Sequence, residues 1–324
     1  MLSLRTSVAM CTFNGSRYLR EQLRSISGQI RPPHELVICD DGSTDDTVRL
    51  LQAFASESSF PVRVFSNTER LGPAQNFDKA IRLCTGDVII LSDQDDLWSP
   101  QKVAKLLEVL ERQPQAMYAF SDAETIDQDG ALLGQSLWEA IAFRQRLDEF
   151  SGPGQLKLLL KQNLITGAAM AFRASFRDIV LPIPPGWMHD YWIVLLGSAL
   201  AYGVPVPEAL FQYRRHSTQV VGWRKKTFLQ VCRTSLAAGQ EDWWQKVADF
   251  RQLRERVASD PLARCPNECL RLLKQKEIHL LTRARTRSSS GISRIAKVLG
   301  EAVTGRYQRY SNSWYSIVRD LKIV

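Results

Sequence analysis

Carboxylates gather at four places in this chain, each at the end of an apolar run. They are Asp40 and Asp41 in Cys39-Asp40-Asp41-Gly42-Ser43, the group Asp93, Asp95 and Asp96 after Ser92, Asp122 after Ser121, and Asp190 in Trp187-Met188-His189-Asp190. Hard carboxylate oxygens suit Mg²⁺ or Mn²⁺, and Mg²⁺ is commonly held by one or two carboxylates together with waters and substrate phosphates. Acidic groups collected at one edge of a sheet would therefore make a metal-dependent site for an anionic ligand. Asp93-Gln94-Asp95 has the form of a clamp between a metal and a diphosphate.

The letters argue against several other chemistries. A haloacid-dehalogenase phosphatase needs a nucleophilic Asp two residues before the Asp of Asp41-Gly42-Ser43, and Cys39 stands there. No Gly-rich loop ends in Gly-Lys-Ser/Thr and no G-x-G-x-x-G follows a strand, so P-loop and dinucleotide-binding readings lose their main support. The run Asp40 to Asp46 lacks the ligand spacing and closing Glu of a calcium loop.

Short apolar runs must position these acids. Glu35 to Cys39 and Asp87 to Leu91 read as buried parallel strands, and ligands of open α/β sheets bind at the carboxyl ends of such strands. The spacing predicts strands at Thr6–Phe13, Glu35–Cys39, Val62–Ser66 and Val88–Leu91. Helices are predicted at Tyr18–Ser27, Thr47–Phe54, Ala74–Leu83 and Val103–Leu110, the last begun by Ser99-Pro100 as N-cap and first turn. Repeated βα units imply a mostly parallel sheet. After Tyr118-Ala119-Phe120 the pattern becomes irregular, with a strand expected at Leu164–Phe172 and a helix at Ile193–Ala201. These segments are the place for acceptor recognition.

Several runs, in order and spacing, resemble the family 2 glycosyltransferases of GT-A fold. They are Ser7-Val8-Ala9-Met10-Cys11-Thr12-Phe13-Asn14-Gly15, Asp40-Asp41-Gly42-Ser43-Thr44-Asp45, Asn67 to Arg70 with Gly72 and Asn76, and Ser92-Asp93-Gln94-Asp95-Asp96-Leu97-Trp98. Thr166-Gly167-Ala168-Ala169-Met170 and His189-Asp190-Tyr191-Trp192 fit the acceptor half of that family. The acidic loop and the Asn76-Phe77 segment are most similar to its rhamnosyltransferase-like branch. The resemblance implies an α/β GT-A domain over residues 1–221, with residues 222–324 as a basic helical extension.

It also implies roles. Cys11, Thr12, Phe13 and Asn14 would border the donor base, Asp41 would accept a hydrogen bond from it, and Asp40 would support the turn. Arg70 and Asn76 would line the donor site. Asp93 would face the donor ribose or a metal-bound water, Asp95 would touch the metal, and His216 would close over the diphosphate or complete the metal shell. Asp190 would be the general base, with His189 orienting the acceptor or tuning Asp190. Read without the family pattern, Asp40 to Ser43 is equally a turn before a helix start, Phe13 a strand-end packing residue and His216 part of a structural loop.

The activity so implied is inverting transfer of one sugar from a nucleoside-diphosphate donor, first dTDP-L-rhamnose, to a hydroxyl of a bacterial surface-glycan precursor. The cofactor would be Mg²⁺ or Mn²⁺. UDP-hexoses and UDP-N-acetylhexosamines compete as donors. The Gln-x-x-Arg-Trp motif of processive synthases is missing, which favours single additions. A noncatalytic nucleotide-sugar-binding scaffold is the alternative of a different class.

The chain has 324 residues, 44% of them hydrophobic, and a net charge of +8. Residues 1–221 hold 21 Lys/Arg and 25 Asp/Glu, whereas residues 222–324 hold 21 and 9, so the halves carry −4 and +12. An acidic catalytic half suits a cation-bridged substrate. The basic half suits an anionic membrane surface, and no motif points to nucleic acid. Among six cysteines, Cys11, Cys39 and Cys84 lie in or beside apolar segments, favouring a reducing cytosol. No apolar run reaches about 18 residues. A cytoplasmic protein, peripheral at the inner face of the plasma membrane, is the expectation. Apolar stripes at Leu229-Cys232-Leu236 and Val247-Phe250-Leu253-Val257 read as packing faces, with Ile292, Ile295 and Leu299 and Trp314 to Leu321 as further amphipathic stretches.

Overall fold

The computed structural model describes residues 4–216, 242–262 and 264–321. Its contacts divide the chain into two units: Met1–Leu147 with Ile165–Gly197 and Ala201–Gly222, and Asp148–Leu164 with Ser198–Leu200 and Trp223–Val324. The expected Leu229-Cys232-Leu236 stripe lies outside the described residues.

The first unit carries a nine-stranded sheet: β1 (Thr6–Thr12), β2 (Glu35–Asp40), β3 (Val62–Ser66), β4 (Val88–Ser92), β5 (Leu97–Trp98), β6 (Tyr118–Ile126), β7 (Leu132–Ser136), β8 (Met170–Arg173) and β9 (Gly203–Arg214). The order is β3-β2-β1-β4-β8-β6-β9-β5, with β7 on β6. The half β3-β2-β1-β4 is all parallel, and β6 and β9 are parallel too. β8 enters antiparallel between β4 and β6. The expected mostly parallel α/β architecture is present.

Helices α1 (Ser16–Ser27), α2 (Thr47–Glu57), α3 (Pro73–Leu83) and α4 (Lys102–Arg112) follow β1, β2, β3 and β5. Parallel neighbours need crossovers of this kind. β2 and β4 are buried at every position, as their unbroken apolar runs require. α1 buries Leu19, Gln22, Leu23 and Ile26, one face of a 3.6-residue period that includes a single polar residue. Beyond these come α5 (Leu137–Ala140), α6 (Pro153–Leu159), α7 (Arg177–Val180) and α8 (His189–Leu200).

Three expectations change. The strand expected at Leu164–Phe172 is only Met170–Arg173, preceded by a 3₁₀ turn at Gly167–Ala169, because the Gly167 N–H goes to the Asp190 carboxylate instead of a strand ladder. The helix expected from Ile193 begins at His189, which places Asp190 in its first turn. Ser99-Pro100 does not open α4: the Ser99 N–H bonds to the Leu210 carbonyl, beside the β5–β9 pairing, and the helix starts at Lys102.

One buried carboxylate ties the parallel half together. Glu35 on β2 accepts from Ser7 Oγ on β1 at 2.6 Å, from Arg63 Nη2 on β3 at 2.6 Å, and from the Thr85 N–H and hydroxyl at 2.6 and 2.8 Å. Burial alone would raise its pKa, but these donors outweigh that and hold it down at about 2. A carboxyl lowered from the usual value of about 4.3 stabilises the fold above that value and loses the contribution as pH falls toward the lowered one. Glu35→Gln is therefore expected to lower stability by about 2 kcal/mol at neutral pH. The gap to the unsubstituted chain should narrow on acidification below about pH 4. Urea midpoints measured across that range check this, and a gap independent of pH would reject it.

The second unit is helical where described: α6, α9 (Trp243–Ala258), α10 (Asn267–Arg287), α11 (Gly291–Val303), α12 (Arg306–Tyr310) and α13 (Ser313–Leu321). Val247, Phe250, Leu253 and Val257 are buried on α9, as their spacing implies. Buried ion pairs accompany the apolar packing. Arg283 donates to Asp320 at 2.6 and 3.0 Å, Tyr307 donates its hydroxyl to the same carboxylate at 2.8 Å, and Arg306 donates to Glu301 at 2.6 Å. Among the described residues, no helix is long and apolar enough to cross a membrane.

Candidate active site

The register Thr12↔Asp40 and Met10↔Ser92 sets the carboxyl ends of β1, β2 and β4 side by side. This brings the Phe13–Gly15, Asp40–Ser43 and Asp93–Asp96 loops to one edge of the sheet. In open α/β folds that edge is where ligands bind.

The first two loops are fastened to one another. The Asn14 N–H donates to Ser43 Oγ at 2.8 Å, and the Thr44 N–H returns a bond to Asn14 Oδ1 at 2.8 Å. Asn14 adopts a φ of 46°, which an Asn tolerates better than most side chains. The third loop is joined through Gln94, whose amide exchanges two bonds with the Phe13 backbone, at 2.8 and 3.0 Å. A Cβ on Gly15 would lie 2.2 Å from Gln94 Oε1, so only glycine lets the two loops close this tightly. Gln22 on α1 donates to Ser92 Oγ at 2.8 Å and to the Asp93 carbonyl at 3.2 Å, holding the acidic loop from below.

The expected donor-site residues fall into two groups. Asp40 is fully buried and accepts from Thr12 Oγ1 at 2.8 Å and from the Ser43 N–H at 2.9 Å, so it shapes the turn. Asp41 accepts from Asn67 Nδ2, the Leu71 N–H and the Gly72 N–H at 3.0, 2.7 and 2.9 Å. Asn76 is buried and donates to the Cys39 carbonyl at 2.7 Å while accepting from Asn67 at 2.9 Å. Thr12, Asp40, Asp41 and Asn76 thus form a scaffold under the site. The more open group is half-buried Phe13 with exposed Arg70, whose guanidinium lies 3.8 Å from the ring centroid while remaining largely open to solvent. Cys11 is half-buried, and its thiol pKa is raised well above the ordinary value by burial, then by Cys39 and the nearby Asp93. It is held as a neutral thiol.

The acidic loop concentrates negative charge. Asp93 is pushed well up by burial, then by the charges of Asp95 and Asp190. Asp96 is buried, accepts from the Arg214 N–H at 3.1 Å, and has its Oδ2 without a hydrogen-bond partner. Asp95 meets His216 Nε2 at 2.8 Å. Arg214, at the end of β9, donates to the Asp95 carbonyl at 2.9 Å and to Glu21 at 2.8 Å, which seats His216 beside the loop. Asp93, Asp95 and His216 do not converge as one cluster: among the described residues, no three His, Cys, Asp or Glu side chains gather closely enough to hold an ion by themselves. The donor set still fits a divalent cation. Asp95 and His216 offer hard oxygen and imidazole nitrogen at one point, in a loop with surplus negative charge, and a bound diphosphate would supply the remaining oxygens.

Asp190 lies in the first turn of α8, where the helix dipole favours a carboxylate. Its oxygens accept from the Gly167 N–H at 3.2 Å and the Tyr191 N–H at 2.5 Å. Because its charge raises the pKa of Asp93, it faces the acidic loop electrostatically. His189 beside it is buried, stacks on Phe77 at 3.8 Å between centroids, and is held near 3 by burial alone. It is a neutral packing group. Asp122 also proves structural, accepting from the Trp138 N–H at 2.9 Å and from Arg144 at 3.0 Å.

Sequence reasoning missed Lys102. Its side chain is fully buried, donates to the Ala168 carbonyl at 2.5 Å and lies between the rings of Trp98 and Phe211. Burial lowers its pKa to about 7 although Asp96 and Asp93 pull it upward, so a buried amine is linked electrostatically to the acidic loop. A helix-face Lys normally reads as solvent-exposed, so no local signal marks it.

Comparison with known proteins agrees with this geometry. The sequence model of glycosyl transferase family 2 matches residues 7–180. An uncharacterized protein of Mycobacterium tuberculosis is 27% identical over 216 residues, covering 65% of this chain and 59% of that one. The dTDP-rhamnosyl transferase RfbG of Shigella flexneri is 26% identical over 223 residues, covering 66% and 73%. This chain thus spans less than two thirds of the length of the mycobacterial relative. Among solved structures, Staphylococcus aureus TarS 1-349 in complex with UDP-GlcNAc aligns with a TM-score of 0.59 at 12% identity, over 94% of this chain and 82% of that one. The mannosyltransferase PcManGT of Pyrobaculum calidifontis, in complex with GDP-Man and Mn²⁺, aligns at 0.53 and 16% identity, over 99% and 87%. These two likenesses establish the GT-A fold alone. With the family's sequence model covering more than half of its length, the chain belongs to glycosyl transferase family 2.

Proposed function

We propose that this chain is an inverting glycosyltransferase that moves one sugar from a nucleoside-diphosphate donor to a hydroxyl of a surface-glycan precursor. The observation that carries the reading is the placement of Asp190. Its carboxylate is fixed at a helix N-terminus by two backbone N–H groups and faces the Asp93–Asp95 loop closely enough to raise the pKa of Asp93. A base opposite a diphosphate clamp is the arrangement that a single displacement needs.

In this reading Phe13 and Arg70 flank the donor base, on loops kept in place by Asp40, Asp41 and Asn76. The Asp190 carboxylate takes the proton of the acceptor hydroxyl as that oxygen bonds to the anomeric carbon. The bond from that carbon to the diphosphate oxygen breaks with its electron pair, and the centre inverts. Asp95 and His216 would hold Mg²⁺ or Mn²⁺, which when bound would offset charge on the departing diphosphate. His189, neutral and stacked on Phe77, packs at the start of the helix that carries Asp190.

The likeness to a dTDP-rhamnosyl transferase supports dTDP-L-rhamnose as the first donor to test, with UDP-sugars next. The acceptor would be a glycan or lipid-linked glycan at the inner face of the plasma membrane. The test is turnover of a panel of labelled nucleotide sugars by the purified chain in the presence of lipid-linked glycan acceptors. Transfer of one sugar with inverted configuration is expected. Tight nucleotide-sugar binding without transfer across the panel would reject catalysis in favour of a noncatalytic scaffold, and a retained configuration would reject the single displacement.

A further inference from the structure

The outer faces of α11 and α13 have the reverse of an ordinary surface composition. Ile292, Ile295, Leu299 and Val303 form one stripe along α11 and are 86%, 48%, 56% and 90% exposed. α11 packs inward through Val298 and Glu301, so its polar carboxylate is inside and its aliphatic stripe outside. On α13, which packs against α11, Trp314, Tyr315, Val318 and Leu321 are also exposed, and the two aromatic rings stack at 3.8 Å between centroids. Large apolar residues grouped in this way on a surface mark an interaction site.

The charges indicate what covers it. Residues 291–321 contain two carboxylates, Glu301 and Asp320, and both are buried in ion pairs. The basic residues Arg294, Lys297, Arg306, Arg309 and Arg319 share the segment, with Lys297 and Arg309 exposed. The segment therefore presents aliphatic and aromatic side chains with positive charge and no exposed carboxylate. Helices of this composition lie in a membrane interface, with the apolar stripe among the acyl chains and the basic residues at anionic headgroups. Exposed Trp and Tyr suit the headgroup level. A second copy of this chain fits less well, because two such faces would bring like charges together.

We infer that the α11–α13 face docks the protein on an anionic lipid bilayer. The inference goes beyond the transferase reading and does not depend on it, since vesicle binding registers neither donor nor turnover. The test is sedimentation of the full chain with vesicles of phosphatidylcholine alone or mixed with phosphatidylglycerol. Binding to the mixed vesicles should be at least about tenfold tighter and should weaken as salt is raised. Leu299→Glu and Val303→Glu, at exposed positions that leave the fold intact, should each weaken it about tenfold, and Lys297→Glu should reduce the salt dependence. Nucleotide affinity of the same preparations should be unchanged. Equal binding to both vesicle types, no binding, or full binding by the Glu variants would overturn the inference. Self-association without lipid that Leu299→Glu abolishes would overturn it in favour of a second copy.

Discussion

An Asp190→Asn protein is expected to keep its fold and its affinity for nucleotide sugar while losing turnover by roughly 10²–10⁴-fold. The amide fills the same space at the start of α8 but cannot take a proton at neutral pH. The substitution is not silent for the scaffold. Asp190 accepts from both the Gly167 and Tyr191 N–H groups, and Asn offers one acceptor oxygen for the two, so a cost of about 1 kcal/mol is expected. Removing a charge that raises the pKa of Asp93 should, if anything, ease crowding of negative charge in the donor loop. Thermal unfolding, nucleotide affinity and acceptor-dependent turnover should be measured on one preparation. Near-normal turnover would remove Asp190 as base. Lost donor binding with the fold intact would instead place it in the donor shell.

Much of this arrangement is legible from local sequence. Each acidic group follows an apolar run, and runs of that kind become buried strands whose carboxyl ends form one edge, so Asp40, Asp93 and the Phe13 loop could be brought together on paper. The division of labour among them could not. That Asp41 also accepts from Asn67, Leu71 and Gly72 depends on how the β3–α3 loop folds back, which no local pattern shows. Asn76 and Asp122 are hidden likewise by partners distant in sequence, Cys39 for the first and Trp138 and Arg144 for the second. Lys102 could not be found from periodicity, because its burial follows from the rings of Trp98 and Phe211, the latter on a strand more than a hundred residues away in sequence. β9 is legible only as a strand just before His216, not over its full range Gly203–Arg214. Its pairing with β5 and β6 is what carries Arg214 and His216 to the acidic loop, and its alternation is broken by Pro205 and Pro207 and by a shifted register. Asp190 was recognised as a residue but its place was not, since the helix begins four residues before the apolar run that announces it.

The second large effect is expected at Asp95. Asp95→Ala removes the oxygen facing His216 Nε2 at 2.8 Å, and with it the point where hard oxygen and imidazole nitrogen meet beside the donor loop. Loss of a ligand from a site with so few protein groups should lower Mn²⁺-dependent nucleotide affinity by about 100-fold, at or beyond the upper end of effects seen when a ligand's supporting partner is lost. The fold should survive, because the loop is also held by Gln22 to the Asp93 carbonyl, Gln94 to Phe13, and Arg214 to the Asp95 carbonyl, none of which uses the Asp95 side chain. Asp95→Asn separates charge from shape: the amide can still meet His216 but brings no negative charge. If the carboxylate holds a cation, Asn should resemble Ala in nucleotide affinity. If Asp95 serves only to orient His216, Asn should resemble the unsubstituted chain. Binding is best followed by calorimetry with nucleoside diphosphate, with Mn²⁺ and with chelator. The unsubstituted protein should lose affinity on chelation, whereas Asp95→Ala should be weak in both conditions. A folded Asp95→Ala protein with unchanged Mn²⁺-dependent affinity would remove Asp95 from the metal site and leave the 2.8 Å contact with His216 as a structural bond.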